Sequence, residues 1–356
     1  MKRLAGYVSD TAAGSANQTW FAGGSQVHCG RVYYRLCAGG QRYRLLFSDV
    51  MDSTFADGSH SRAGDSCGGF EIVSLRVGLC DRSDVREAVE PEGFHTVTFD
   101  GVPFKTVAAG ESVLCDPIPL NASAGQTLCV ELKVRGERLP CHEELQVASF
   151  VKTADGFVPS THLPVPLTVA VERDAHTLAF LGDSITQGIG ATKDSYRHWV
   201  ARVAERLPSE VAVWNLGIGF ARCADAAADG PWIDKVLRNE AAVVCLGVND
   251  LMNGRTAQEI AYDLRTVVRR LKQAGVRVLL QSVPPFEFPK DAGAQWRALN
   301  TLLPSVAAEA DAFFDVVPHL CGEDGVPRYG GHPNDEGCAV WAEALLPTLK
   351  EWLENA

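Results

Sequence analysis

The spacing of hydrophobic residues changes near residue 170. Upstream of that point, short segments alternate between apolar and polar positions; in Thr127–Val134, the apolar residues at positions 128, 130, 132 and 134 fall on one face. Such alternation is typical of a half-buried strand. Clusters of Gly, Asp, Ser and Pro separate these segments. Several short strands divided by turns predict an antiparallel, jelly-roll-like β-sandwich.

From His176 onward, continuous apolar runs alternate with amphipathic helices. The runs occupy residues 176–182, 211–217, 241–247, 276–283 and 312–317. Runs of this kind are typical of strands that are buried on both faces of a parallel sheet. Helices are predicted at Tyr196–Leu207, Ala257–Ala274, Trp296–Ala310 and Asp335–Leu353. Five strand–helix units predict a doubly wound, three-layer α/β domain of the flavodoxin type.

The length of the chain also favours two domains, because 356 residues are many for one hydrophobic core. The change of pattern divides the chain into an N-terminal β-sandwich domain, residues 1–170, and a C-terminal α/β domain, residues 171–356. In doubly wound sheets, ligands bind at the carboxyl ends of the strands. The residues that directly follow the apolar runs of the second domain are therefore candidates for a site.

Polar motifs follow four of these five strands. Ser184 lies in Gly182–Thr186 (GDSIT) after the first strand, and the glycine-containing block Asn215–Phe220 follows the second. Asn249 lies in GVND after the third strand, and His332 lies in HPNDEG beyond the fifth. A serine at a strand-to-helix turn is exposed beside backbone N–H groups, which suits a nucleophile and the oxyanion that it generates. A histidine over the same sheet edge is suited to accept the proton of that serine.

Each of these residues also has a structural interpretation. Ser184 is equally explained as a helix N-cap, Asn249 as a turn or cap residue, and Asp250 as a cap rather than a catalyst. His319 is an alternative base, because it too lies beyond the fifth strand. The helix N-terminus at His332 disfavours an imidazolium ion, so a base at this position is expected to be neutral.

The order of GDSIT, the glycine block, GVND and HPNDEG resembles the SGNH (GDSL-type) hydrolase superfamily over residues 176–356. The resemblance implies an SGNH hydrolase domain and a serine esterase that needs no cofactor. It implies that Ser184 is the nucleophile and His332 its base. It also implies an oxyanion hole made by the Ser184 N–H, a backbone N–H of Gly219 or Phe220, and the side chain of Asn249.

Two positions depart from the pattern of the superfamily. An aspartate usually precedes the histidine by three residues, and here Tyr329 occupies that place. The imidazole is then expected to be oriented by Asp315, Glu323, Asp324 or a backbone carbonyl, or to act in a Ser–His dyad. The block after the second strand usually ends in glycine, whereas here it ends in Phe220, whose ring is expected to narrow the pocket.

The order of the two domains suggests a class of substrate. A β-sandwich before an SGNH domain is similar to the arrangement of family 2 carbohydrate esterases. This resemblance implies removal of short acyl groups, above all acetyl, from a small-molecule or oligosaccharide ester. Two alternatives stay open: a lipase- or thioesterase-type acyl hydrolase, although no strongly apolar lid segment is recognisable, and a carbohydrate-binding protein without catalysis.

Composition argues against several partners and cofactors. The net charge of -11 disfavours nucleic acid and anionic membranes as partners, and no apolar run is long enough to predict a membrane span. The N-terminus lacks the apolar core of a signal peptide, and the eleven cysteines lack a C-x-x-C motif, which together predict a cytoplasmic protein with reduced thiols. No phosphate loop, dinucleotide fingerprint or metal cluster is recognisable. The sequence leaves the oligomeric state open.

Overall fold

The computed structural model describes residues 6–14, 17–52, 63–81, 85–142, 146–164, 166–322 and 325–355. The chain divides into two compact units. The N-terminal unit comprises residues 1–175 with the short segments 193–196 and 212–214, and the C-terminal unit comprises residues 176–192, 197–211 and 215–356. In the ranges described, no helix is long and apolar enough to cross a membrane.

The N-terminal unit is built from strands. They are β1 (Tyr7–Ser9), β2 (Asn17–Phe21), β3 (His28–Arg35), β4 (Gly39–Ser48), β5 (Phe70–Cys80), β6 (His95–Thr96), β7 (Lys105–Val107), β8 (Ser112–Leu114), β9 (Ile118–Ser123), β10 (Thr127–Arg135), β11 (Arg138–His142), β12 (Ala148–Thr153), β13 (Gly156–Pro159) and β14 (Thr168–Glu172). One sheet has the order β1-β14-β4-β8 with β9 also on β4, and a second has the order β13-β12-β3-β10-β5-β6 with β7 also on β5. Strand β2 pairs with β11.

The strand pairs of the N-terminal unit are antiparallel, as the alternating sequence pattern predicts. Their jelly-roll-like arrangement stays a prediction. The prediction that β10 is half-buried is wrong for its first six residues, Thr127–Leu132, all of which are buried. Strand β10 lies between β3 and β5, and its polar residue Glu131 is tolerated there because the guanidinium groups of Arg31 and Arg76 donate to its carboxylate over 2.9 and 3.0 Å.

The C-terminal unit alternates strands and helices. Its strands are β15 (His176–Gly182), β16 (Val211–Gly217), β17 (Ala241–Cys245), β18 (Arg277–Gln281) and β19 (Ala312–Phe314). Its helices are α1 (Ser184–Gln187), α2 (Trp199–Ala204), α3 (Cys223–Ala227), α4 (Pro231–Val236), α5 (Val248–Met252), α6 (Ala257–Gln273), α7 (Lys290–Ala307), α8 (Val317–Leu320) and α9 (Asp335–Glu354).

The five strands of this unit form one sheet in the order β16-β15-β17-β18-β19. The pairs β15–β17, β17–β18 and β18–β19 are parallel. The chain therefore moves first to one side of β15 and then to the other, which is the doubly wound order of flavodoxin-like sheets. Because parallel crossovers are right-handed, this order places α2 on one face of the sheet and α6 and α7 on the other. Helix α9 packs against α2, and α6 packs against α7.

Two of the predicted helices have different bounds in the structure. Helix α2 was expected from Tyr196, but Tyr196 has a φ of 55° and so cannot belong to a right-handed helix. Helix α7 was expected from Trp296, yet it begins at Lys290. The sequence pattern missed its first turns because they lack the apolar stripe that marks the rest of the helix. Helix α6 begins at a capping box formed by Thr256 and Glu259.

A stack of two tryptophans supports the first helix of this unit. The rings of Trp199 on α2 and Trp341 on α9 are parallel, with their centroids 4.6 Å apart. The indole N–H of Trp199 donates to the carbonyl of Ile185 over 3.1 Å, and that of Trp341 donates to Gln281 Oε1 over 2.9 Å. The short helix α1 is thereby connected to α2, to the long helix α9 and to the end of β18.

The cysteines act as small buried side chains. All eleven lie in the described part of the chain; none forms a disulfide, and eight are buried. Among the described residues, no group of three His, Cys, Asp or Glu side chains is arranged to hold a metal ion.

Candidate active site

Ser184 lies at the turn between β15 and α1. The N-cap of α1 is Asp183, whose carboxylate accepts a hydrogen bond from the N–H of Ile185 over 3.0 Å. Ser184 is the first residue of the helix itself, so the interpretation of Ser184 as the cap is wrong. Glycine is required at the end of β15, because a Cβ on Gly182 would lie 1.9 Å from Thr186 Oγ1. The first N–H groups of a helix have no acceptor within the helix, and that of Ser184 is one of them.

The carboxyl group of Asp183 is buried directly beside the serine. Burial is the main cause that raises the pKa of Asp183 to about 7, and the charge of Asp250 contributes to this rise. The protonated form of the cap is therefore favoured more than in an exposed aspartate. A neutral carboxyl group does not oppose a negative charge that develops at Ser184, whereas a carboxylate would.

His332 is the histidine that the structure brings to this serine. Its Nε2 lies 2.9 Å from Ser184 Oγ, although 148 positions separate the two residues in the chain. Burial lowers the pKa of the half-buried His332 imidazole. The sequence predicted a neutral base at this position because of the helix N-terminus, and the structure gives burial as the cause. A neutral ring that accepts at Nε2 carries its proton on Nδ1.

The alternative base, His319, has a different environment. It lies on α8, and its ring stacks on that of Phe314 with an interplanar angle of 8° and centroids 5.6 Å apart. Its place beyond the fifth strand therefore reflects packing on the end of β19.

The glycine-containing block packs directly on α1. Asn215 Nδ2 donates to the carbonyl of Thr186 over 3.1 Å, and Asn215 Oδ1 accepts from the N–H of Gly217 over 2.9 Å. A Cβ on Gly217 would lie 2.2 Å from the backbone nitrogen of Gln187. The N–H of Ile218 donates to the carbonyl of Gly182 over 3.1 Å. The backbone that leads to Gly219 and Phe220 is thus fixed to the turn that carries Ser184.

Phe220 occupies a conformation that favours glycine. Its φ is 62°, and its side chain is 46% exposed. A left-handed residue with a Cβ costs about 1–2 kcal/mol, and such strain is concentrated at functional sites. The structure therefore places a strained residue with an exposed ring in the block that contacts α1.

Asn249 lies on α5, directly after β17. One hydrogen of its amide nitrogen is used in a 3.0 Å bond to the carbonyl of Ala221, which leaves a second hydrogen on Nδ2. The N-cap of α5 is Gly247, so the interpretation of Asn249 as a cap is wrong. The buried carboxylate of Asp250 accepts from the N–H of Cys223 over 2.8 Å and from Arg255 over 2.7 Å. The bond from Cys223 joins α5 to the segment that follows Phe220.

The predicted acidic partners of His332 have different outcomes. Asp315 Oδ1 accepts from Ser282 Oγ over 2.7 Å and from the N–H of Val317 over 3.1 Å, which joins the loops after β18 and β19. Glu323 and Asp324 lie outside the described residues. Tyr329, which stands where an aspartate was expected, packs against the first turn of α9: a Cβ on Gly337 would lie 2.6 Å from Tyr329 Cβ.

Sequence reasoning missed one carboxylate near the site. Asp335, the first residue of α9, accepts from the N–H and the hydroxyl of Thr192 over 2.6 and 2.8 Å, and from Arg197 over 3.1 Å. Its place three residues after His332 was a usable signal, because an acidic residue is common in the first turn of a helix and also free to bind a second segment.

Comparisons with known proteins match the second half of the chain. Residues 180–340 match the model of the GDSL-like Lipase/Acylhydrolase family. The chain is similar to Esterase TesA of Pseudomonas aeruginosa, with 27% identity over 188 residues, which are 50% of this chain and 90% of that protein.

Similar solved structures also cover about half of the chain. One is a member of the lipolytic protein G-D-S-L family from Veillonella parvula, with 19% identity, a TM-score of 0.42, and coverage of 49% of this chain and 99% of that one. Another is a carbohydrate esterase family 3 protein from Talaromyces cellulolyticus, with 18% identity, a TM-score of 0.39, and coverage of 51% and 99%. The family match includes Ser184, Asn249 and His332. The C-terminal half of this chain is a domain of the GDSL-like lipase/acylhydrolase (SGNH) family, a family of ester hydrolases.

Proposed function

We propose that this protein is a serine esterase in which Ser184 is the nucleophile and His332 the general base. The observation that carries the proposal is the 2.9 Å contact between Ser184 Oγ and His332 Nε2 at the carboxyl end of β15. A hydroxyl is a weak nucleophile at its ordinary pKa, and a neutral imidazole within hydrogen-bond distance activates it. Burial lowers the pKa of His332, which favours the neutral imidazole that can accept a proton.

In the acylation step, Ser184 Oγ attacks the carbonyl carbon of the ester. Its proton passes to His332 Nε2, and the carbonyl oxygen becomes an oxyanion. The imidazolium then gives this proton to the leaving alkoxide as the carbon–oxygen bond of the ester breaks. An acyl-serine and a free alcohol result.

The oxyanion is proposed to bind three donors. These are the N–H of Ser184, a backbone N–H of Gly219 or Phe220, and the Nδ2 hydrogen of Asn249. The hydrogen bond that Asn215 donates to Thr186 and the one that Asp250 accepts from Cys223 keep the elements that carry these donors packed together, so the donors are preorganised for the transition state. In deacylation, His332 removes a proton from a water molecule as its oxygen attacks the carbonyl carbon of the acyl-serine. The bond from this carbon to Ser184 Oγ then breaks, the imidazolium returns the proton to Ser184 Oγ, and the carboxylic acid is released.

The proposed substrate is a carbohydrate that carries a short acyl group, above all acetyl. This part rests on the resemblance to family 2 carbohydrate esterases, in which a β-sandwich precedes the hydrolase domain, and here a unit of antiparallel sheets does so. A jelly-roll-like packing of those sheets belongs to the same proposal. The ring of Phe220 is exposed, and we propose that it offers an apolar face to a sugar and limits the room for a long acyl chain.

The test compares the native protein with Ser184→Ala in the hydrolysis of 4-nitrophenyl acetate and of acetylated xylo- and manno-oligosaccharides. We expect the variant to lose about a thousandfold or more in kcat, because it lacks the nucleophile. Equal, slow rates would mean that surface Cys or Lys residues react with the activated ester, and the carbohydrate-binding alternative would then take precedence.

The acyl preference is measured with the same protein. We expect acetate release to exceed hydrolysis of octanoyl and longer esters. A preference for octanoyl groups would favour the lipase- or thioesterase-type alternative while leaving the serine mechanism intact.

A further inference from the structure

The imidazole of His332 is half-buried. Burial lowers its pKa, and no charged group among the described residues contributes to this shift. Tyr329, at the position of the expected aspartate, packs on α9 instead. A catalytic imidazole still has to be held in one orientation, since a displacement of 1 Å costs about a hundredfold in rate.

An aromatic ring holds one side of the imidazole. The rings of Phe286 and His332 are nearly perpendicular, at 80°, with centroids 5.2 Å apart. Gly331 allows this approach, because a Cβ there would lie 3.3 Å from the Phe286 ring. Perpendicular aromatic pairs at this distance are attractive and directional. The ring of Phe286 therefore restricts rotation of the imidazole and shields it from water.

Phe286 is itself fixed by a row of aromatic residues. Its ring packs on Phe288 at 5.6 Å, and Phe288 packs on Trp296 of α7 at 6.1 Å. The indole N–H of Trp296 donates to the carbonyl of Val283 over 2.9 Å, just after β18. The row connects the imidazole to a long helix and to the parallel sheet.

The loop that follows α1 holds the backbone of His332. Gly190, with a φ of 98°, touches that backbone so closely that a Cβ would lie 2.6 Å from the His332 carbonyl oxygen. Two residues further on, Thr192 donates twice to Asp335. Partial burial raises the pKa of Asp335, but the hydrogen bonds from Thr192 and Arg197 lower it overall, so that this carboxylate stays ionised. The loop that follows Ser184 thus contacts the segment that carries His332 at two points, Gly190 and Thr192.

We propose that His332 is positioned by packing in place of a carboxylate. Phe286 orients and shields the imidazole, and the Gly190 contact with the Thr192–Asp335 hydrogen bonds sets the distance between His332 and Ser184. Phe286, Thr192 and Asp335 are positioning residues in this account. The inference deepens the proposed esterase function and rests on it.

The test of Phe286 is the pH profile of kcat/KM for 4-nitrophenyl acetate, which reports the pKa of the base in the free enzyme. We expect the acidic limb of the native enzyme to fall below pH 6.5. Phe286→Ala exposes the imidazole, so the limb should move up toward 6.5, and kcat should fall tenfold to a hundredfold. Phe286→Tyr keeps the ring and should keep the profile.

Phe314→Ala is the matched control, because it removes an aromatic ring that packs on His319 rather than on His332. It should leave the acidic limb in place. An unchanged limb and unchanged kcat in Phe286→Ala, with native thermal stability, would overturn the role of Phe286.

The contact between Thr192 and Asp335 is tested with Thr192→Val, which removes the hydroxyl donor, and with Thr192→Ser, which retains it. We expect Thr192→Val to lower kcat about tenfold with KM unchanged, and Thr192→Ser to restore it. Native kcat in Thr192→Val would overturn this part.

Asp315→Ala, Glu323→Ala and Asp324→Ala should each retain turnover, and a loss of a hundredfold or more in any one would overturn the proposal in favour of a displaced acid.

These outcomes are distinguishable from failure of the proposed function. If Ser184→Ala retains activity, the esterase mechanism itself is wrong. If Ser184→Ala is inactive while Phe286→Ala and Thr192→Val behave as the native enzyme, the mechanism stands and only the positioning by packing is wrong.

Discussion

Both units of this protein contain a serine hydrogen-bonded to a histidine. In the N-terminal unit, His142 Nε2 lies 2.7 Å from Ser149 Oγ. In the C-terminal unit, Ser184 Oγ lies 2.9 Å from His332 Nε2. The two distances are alike, yet only the second pair follows a strand of the parallel sheet and carries the motifs of a hydrolase.

The two pairs differ in which side chain donates the hydrogen bond. The hydroxyl of Ser149 donates to the carbonyl of Ser160 over 2.7 Å, so its one hydrogen is already used. His142 Nε2 must then be the donor to Ser149, and this nitrogen cannot act as a base toward it. In the other pair, the hydroxyl of Ser184 is free to donate to His332.

Burial separates them as well. His142 has no exposed surface and Ser149 is 8% exposed, so no ester reaches them. Burial lowers the pKa of His142 to about 3. The pair therefore joins β11 to β12, whereas the half-buried pair at Ser184 remains accessible. A short serine–histidine distance is evidence for catalysis only when the serine hydroxyl can donate to the histidine and a substrate can reach the pair.

The largest expected effect is on the two histidines. His332→Ala should lower kcat about a thousandfold or more, because no base remains for Ser184. His142→Ala should retain the kcat of the folded protein and lose stability, since the buried Ser149 oxygen then loses the hydrogen bond that His142 donates. The measurements are kcat with 4-nitrophenyl acetate and thermal unfolding.

A loss of kcat in folded His142→Ala equal to that in His332→Ala would contradict the division of roles between the pairs. Largely native activity in His332→Ala would return attention to His319.

The next effect concerns the oxyanion donor. Asn249→Ala should lower kcat by about a hundredfold to a thousandfold with little change in KM, as is typical for loss of one such donor. Asn253→Ala is the matched control, because Asn253 is an exposed asparagine that directly follows α5 and donates to the Asn249 carbonyl. A rise in KM with an unchanged kcat in Asn249→Ala would instead assign this residue to substrate binding.

The smallest effect is on stability at acidic pH. The folded state holds His142 neutral down to about pH 3, while the unfolded chain protonates it near pH 6.5, so the unfolded state binds more protons below that value. This residue should therefore cost about 2 kcal/mol of stability between pH 7 and pH 5. Urea unfolding of the native protein and His142→Gln at both pH values measures the difference. Equal pH dependence of the two proteins would contradict the buried neutral state.

The sequence was informative where the pattern has a local physical cause. Continuous apolar runs identified the strands of the parallel sheet, since burial on both faces excludes polar side chains. Because parallel strands end at one edge, the motifs after them converge, and Ser184 and His332 meet as expected.

Contacts between distant side chains could not be predicted in the same way. Glu131 made β10 look half-buried, because the arginines that neutralise it belong to neighbouring strands. Phe286 belongs to no recognisable motif, and its contact with His332 depends on the fold of the loop after β18. The pair of His142 and Ser149 leaves no motif at all, since it spans two strands and depends on burial.

The most direct test of the central claim is covalent labelling with an alkyl fluorophosphonate, followed by peptide mass spectrometry of the native protein. Such a reagent modifies a serine only where a base activates it and donors bind the phosphoryl oxygen. The account predicts one adduct, on Ser184, that is lost in His332→Ala and kept in His142→Ala. An adduct on Ser149, or native labelling of Ser184 in the absence of His332, would contradict it.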